Sequence, residues 1–139
     1  LKPGGRIAVA AWTPQQFSPG FEAINAALNS VADLPLLDST KPGRLQLSDP
    51  GQLEAALMNA GFSNVRVAPV QLSIFARDAD EFWRMSSEMG GSLQGVVRSL
   101  TDAQRASVQR DVAASVEKFL ANGCLRIPAQ GQVAIGIRN

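Results

Sequence analysis

The chain of 139 residues sets 13 Lys and Arg against 12 Asp and Glu, a net charge of +1, and carries 45% hydrophobic residues, one cysteine and no histidine. His-dependent nucleophile systems and His-ligated metal sites are therefore excluded, and Cys124 alone closes neither a disulfide nor a Cys-based zinc site. Balanced charge without a basic run argues against nucleic acid or an anionic membrane surface as partner, and no apolar stretch approaches the roughly 20 residues that span a bilayer. The expectation is one globular domain over residues 1–139, in a reduced, cytoplasmic compartment, with no metal site.

The chain opens on a turn, Leu1-Lys2-Pro3-Gly4-Gly5, in which Pro3 disfavours helical geometry at Lys2 and the glycines supply positive φ. With nothing before it to turn from, the turn reads as an αβ connection in mid-domain. Arg6 to Trp12 is apolar without alternation, which predicts a strand buried on both faces. Residues 13–20 form a loop, and Phe21, Ile24, Ala27, Leu28 and Val31 follow at helical spacing. Residues 35–47 read as an irregular connection. Asp49 then caps a helix with Pro50 at its first position and Gln52 completing a capping box; Leu53, Ala56, Leu57 and Ala60 share its apolar face. Gly61 sits where a left-handed residue ends the helix, and Phe62 folds back on the last turn.

Residues 64–75 read as a strand whose alternation changes phase, with Val65 and Val67 on one parity and Val70, Leu72 and Ile74 on the other. Pro69 stands at the change, which predicts a bulge or bend on an edge strand. Asp78 and Glu81 start a helix bearing Phe82, Trp83, Met85 and Met89, stopped by Gly90-Gly91. Thr101 and Gln104 form a second capping box, and a long helix carries Val108, Val112, Val116, Phe119 and Leu120 up to Gly123. Residues 132–138 alternate again, with Ala134 and Gly136 on a face small enough for a helix to pack closely.

Taken in this order, Leu1-Lys2-Pro3-Gly4-Gly5-Arg6 with its apolar strand, then Leu57-Met58-Asn59-Ala60-Gly61-Phe62 and Asn64-Val65-Arg66-Val67, resemble the C-terminal half of class I S-adenosylmethionine-dependent methyltransferases, most closely the ubiquinone/menaquinone-biosynthesis type. The resemblance implies an α/β, partial Rossmann-like fold: a small mixed sheet of about three strands with packed helices, and a helical insertion over 78–122 before a closing antiparallel strand. It implies methyl transfer to a small acceptor, with S-adenosylmethionine held by a glycine-rich loop and an acidic residue in the preceding half. Neither is present in this chain: Gly90-Gly91 and Gly95 lie in the insertion, and Gly4-Gly5 precede a strand rather than a helix. No cofactor-binding or catalytic residue is therefore assigned. The chain alone is expected to be inactive and to bind no cofactor, the missing half amounting to roughly 100 residues at about 30 per strand-helix unit.

Five residues are candidates for contact with an acceptor. Trp12, at the exit of its strand, either lines a pocket or packs, since ligands of open α/β sheets gather at strand carboxyl ends. Phe82, Trp83, Met85 and Met89 either form an apolar lid or belong to the core. Asp49, Asp78, Glu81 and Asp102 read as helix caps, Cys124 as inert, and Arg98, Arg105 and Arg110 as solvent-facing. The competing function is a non-catalytic, homodimeric binding module, paired through the strand ending at Trp12 or through the Phe/Trp/Met helix. Either a second copy or a missing N-terminal half is then the expected partner.

Overall fold

The computed structural model describes residues 1–31, 45–88 and 91–139. They form strands β1 (Arg6–Trp12), β2 (Phe62–Ala76), β3 (Leu120–Ala121) and β4 (Cys124–Arg138), and helices α1 (Pro19–Val31), α2 (Pro50–Asn59), α3 (Ala79–Glu88), α4 (Gly91–Ser99) and α5 (Asp102–Val116). The class is α/β as expected, but the sheet is antiparallel rather than mixed and has four strands rather than three. Its order is β1-β4-β2, with β3 paired to β4. The last strand lies between the first and β2, so among the described residues no two parallel strands are neighbours. The described residues gather in two compact units, one of residues 1–17, 45–72 and 130–139, the other of residues 18–31 and 73–129.

In the first unit β1 pairs with β4 from Arg6↔Ile137 to Trp12↔Gly131. Leu53 and Leu57 of α2 and Ala134 of β4 are buried together, with Ile7, Val9, Ala11, Phe62, Val65 and Val67 packed around them. The small face of β4 does admit close packing: a Cβ on Gly136 would stand 3.1 Å from the Cβ of Phe62. β1, however, is not buried on both faces. It ends the sheet order, and its exposure alternates, with Arg6, Ala8 and Ala10 exposed. The apolar run after Arg6 survives there because its exposed residues, Ala8 and Ala10, leave little apolar area to water.

The termini of α2 follow from its sequence. Asp49 accepts hydrogen bonds from the amides of Gly51 (2.7 Å) and Gln52 (3.2 Å), and Pro50 begins the helix. Gly61, at φ 83°, ends it, its amide donating to the Met58 carbonyl. The Arg138 guanidinium donates to the Ala60 carbonyl and lies over the Phe62 ring at 5.7 Å, while the Arg138 amide donates to Gly5 and its carbonyl accepts from Gly4. The opening turn, the end of α2 and the last strand are thereby locked at one residue. Phe62 itself is half-buried. β2 runs as one strand through Pro69, where a bulge or bend was expected, and its left-handed residue is Asn64, φ 51°, ahead of Val65 and Val67. Asn tolerates that conformation better than other residues with a Cβ.

In the second unit α1 packs on α5 through the buried Phe21, Ile24, Ala27 and Leu28 of α1 and Val108, Val112 and Val116 of α5. Leu125, Ile127 and Ala129 of β4 and Phe82 and Trp83 of α3 complete this core. α1 shares this core with the helices that follow residue 78. Gly20 lets α1 approach: a Cβ there would lie 2.9 Å from both Ile127 and Phe82. The Thr101–Gln104 capping box forms in both directions, and Gln104 Nε2 also donates to the Val31 carbonyl at 3.1 Å, tying α5 to the end of α1.

Three expectations are corrected here. A further helix, α4, begins at Gly91, where only a helix stop was expected, and buries Val97 ahead of the buried Leu100. The long helix stops at Val116, so Phe119 and Leu120 leave it through a 3-10 turn. Asn122 (φ 51°) and Gly123 (φ 79°) then make a two-residue hairpin turn with both central φ angles positive, which starts β4 at Cys124 instead of residue 132. Among the described residues no helix is long and apolar enough to cross a membrane. Of the irregular connection expected over 35–47, residues 35–44 lie outside the described residues, as do Met89 and Gly90.

Candidate functional site

β1 ends in the first unit beside an apolar hollow of about 250 Å³, bordered by Ala10, Ala11, Trp12, Val70, Leu72, Gly131, Gln132 and Val133. The pairing of β1 with β4 sets Ala10 beside Val133 and Trp12 beside Gly131. Thr13 fixes the exit of the strand: its amide and its hydroxyl both donate to the Gln130 carbonyl, at 3.3 and 2.7 Å. Gly131 keeps the floor open, since a Cβ there would stand 3.3 Å from both the Ala11 carbonyl oxygen and the Leu72 side chain. Val70 and Leu72 remain 38% and 43% exposed, so the hollow is open to solvent.

Its chemistry is that of a contact surface. No bordering residue carries a titratable side chain, and the volume lies just under the roughly 300–1,000 Å³ of ligand sites in general. A small ring or short chain fits; proton transfer by the lining does not. Gln132, 1% exposed, uses its amide to hold the turn ahead of α2, Nε2 donating to the carbonyls of Leu47 (2.7 Å) and Ser48 (3.0 Å), while Oε1 has no partner among the described residues.

Of the five candidate contact residues, Trp12 borders the hollow. Phe82 and Trp83, 0% and 5% exposed, are core residues of the second unit, Met85 is half-buried there, and Met89 lies outside the described residues. Val70 and Leu72 were not among the candidates. Their signal was the parity change, because it takes them off the face on which Val65 and Val67 pack against α2.

Asp49, Asp78 and Glu81 act at helix starts as expected, whereas the cap of α5 is Thr101 and Asp102 is the first residue of that helix. Asp78 accepts from the Glu81 amide (2.8 Å) and Glu81 from the Arg77 amide (2.6 Å); that backbone bond, with a further one from the Arg77 side chain, holds the Glu81 carboxyl below the usual range. Arg98 and Arg110 are exposed, but Arg105 is half-buried with its Nε enclosed, contrary to the solvent-facing expectation. Cys124 is half-buried, its thiol directed to the Ala121 carbonyl at 3.6 Å. Among the described residues no three His, Cys, Asp or Glu side chains come together as a metal site. No protein-family model matches the chain. A search of curated proteins finds no relative.

Proposed function

We propose that this chain is the C-terminal part of a class I S-adenosylmethionine-dependent methyltransferase, inactive by itself, and that the hollow at the end of β1 contacts the apolar body of a small methyl acceptor. One observation carries the reading: β4 closes the sheet antiparallel to β1, with β2 on its other side. The resemblance implies a closing antiparallel strand, and the two quoted motifs lead into the two strands that flank β4. The Rossmann-like character of the fold rests on the same correspondence.

The residues present do not fit the cofactor. S-adenosylmethionine carries an amino acid, a ribose and an adenine, and a hollow lined by Ala, Val, Leu and Trp side chains, with one amide whose Nε2 is already committed, offers no set of polar groups to match their hydrogen bonds. What the chain offers is apolar contact and a fixed floor, which is the positioning share of a transfer whose rate depends on holding two reactants in line.

The coding sequence directly upstream of Leu1 tests the reading. An in-frame strand followed by a Gly-x-Gly turn and a helix is expected; an initiation codon at that point, or an unrelated fold, would overturn it. Calorimetric titration of the chain with S-adenosylmethionine should give no binding, and micromolar binding at unit stoichiometry would show that the cofactor site had been misplaced.

A further inference from the structure

We propose that Asn122, at the tip of the β3–β4 hairpin, is a site of spontaneous deamidation. The reaction needs only the chain and water. The Gly123 amide nitrogen, having lost its proton to hydroxide, attacks Cγ of Asn122; a C–N bond forms, the Cγ–Nδ2 bond breaks and the side-chain nitrogen leaves as ammonia. Water then opens the succinimide at one of its two carbonyls, giving Asp or the isoaspartyl isomer, whose main chain runs through Cβ and Cγ. One water is consumed and one ammonia released.

The fold singles out this asparagine. The sequence holds asparagines at 25, 29, 59, 64, 122 and 139, and only Asn122 is followed in it by glycine. Asn25 and Asn29 lie inside α1, whose ladder engages the amides that follow them. Asn59 ends α2, and the next amide, that of Ala60, donates to the Ala56 carbonyl at 3.1 Å. Asn64 is the informative comparison, because it is exposed and shares φ 51° with Asn122. Val65 follows it, however, β-branched and packed against the core under α2. At the hairpin tip nothing shields the attacking nitrogen. Asn122 and Gly123 are exposed, a Cβ on Gly123 would meet no atom within 4 Å, and the Gly123 amide has no acceptor among the described residues. Ring closure also requires the turn to yield, and β3, which holds one side of it, has two residues, both exposed, so opening it uncovers no core. Either product adds a carboxylate: 13 acidic residues then face 13 basic ones, and the formal charge falls from +1 to 0. The isoaspartyl product also lengthens the main chain between Ala121 and Cys124, which are direct partners in the ladder, and so loosens the β3 pairing.

The folded chain is kept in mildly alkaline buffer, sampled over time and cleaved after Lys118 and Arg126, and the peptide 119–126 is weighed. It should gain about 1 Da in two separable forms, ahead of the peptides that carry the other asparagines. The rate should rise with pH and lie within about tenfold of the rate in guanidinium chloride. Asn122→Gly suits the positive φ and removes the side-chain amide. It should keep the helical circular dichroism of the parent and form no acidic band on isoelectric focusing where the parent accumulates one. A peptide 119–126 that stays unchanged in the folded chain, or converts far more slowly there than in guanidinium, would overturn the proposal, because the turn would then protect the residue. So would faster conversion at Asn64, or an acidic band that accumulates in Asn122→Gly at the parent's rate. None of these outcomes depends on the methyltransferase reading.

Discussion

Substituting Gly61 by Ala tests the lock between α2 and the final strand. The residue sits at φ 83°, where a Cβ crowds the backbone at a cost of about 1–2 kcal/mol. The added methyl would also stand 2.5 Å from Arg138 Nη1. Moving the guanidinium aside sacrifices its bond to the Ala60 carbonyl and its position over Phe62, worth about 1 kcal/mol at this partly exposed place. The expected loss is therefore about 2–3 kcal/mol, a large share of the roughly 5–15 kcal/mol that holds a domain of this size together. Urea melts should show a lower midpoint at unchanged slope. In Gly61→Ala/Arg138→Ala the clash has no partner, so the double variant should lose less than the sum of the single ones. A loss below about 0.5 kcal/mol for Gly61→Ala would mean that the helix does not end left-handed. Strict additivity in the double variant would mean that Arg138 does not cover it.

Gly20→Ala should cost about 1–3 kcal/mol by overpacking, because its methyl meets Ile127 and the fully buried Phe82 at 2.9 Å; thermal melts indistinguishable from the parent would contradict the close approach of α1. Gln132→Leu should cost about 1–2 kcal/mol, since it strands the Leu47 and Ser48 carbonyls while removing an oxygen that has no donor among the described residues; a gain in stability would show that the amide holds nothing. The lowered pKa of Glu81 stabilises the fold above the ordinary Glu value of about 4.3, and that contribution is lost as pH falls through the lower folded value. The stability difference between the parent and Glu81→Gln should accordingly be constant near neutrality and shrink in acid; a difference that widens in acid would reverse the assigned sign.

Local signals carried far in this sequence, and topology did not. Asp49, Thr101 with Gln104, and Gly61 cap or end their helices as their residue types dictate, because such bonds close within four residues. The burial of β1 was misjudged because an apolar run reports what a strand tolerates, not how many neighbours it has. The helix α4 was legible in the spacing of Leu93, Val96, Val97 and Leu100, but two glycines and a capping box on either side suggested a connection. The start of β4 was written in Asn122-Gly123, a strong hairpin dipeptide, and was masked by an apolar helical pattern that runs into it. Trp12 could be placed at a strand exit from sequence alone; its neighbours Val70, Leu72 and Val133 come from strands far along the chain, and no local pattern pairs them.

The place of β4 beside β1 carries both the family reading and the hollow, and nuclear Overhauser contacts across that pair test it most directly. Ala8 with Ile135, and Ala10 with Val133, are the pairs that do not exchange hydrogen bonds, whose Cα atoms approach to about 4.5 Å and whose Hα atoms are closest. Strong Hα–Hα cross-peaks are expected for both pairs. Cross-peaks from Ala8 and Ala10 to β2 residues near Val67 instead would place β1 against β2, dissolve the floor of the hollow and contradict the account.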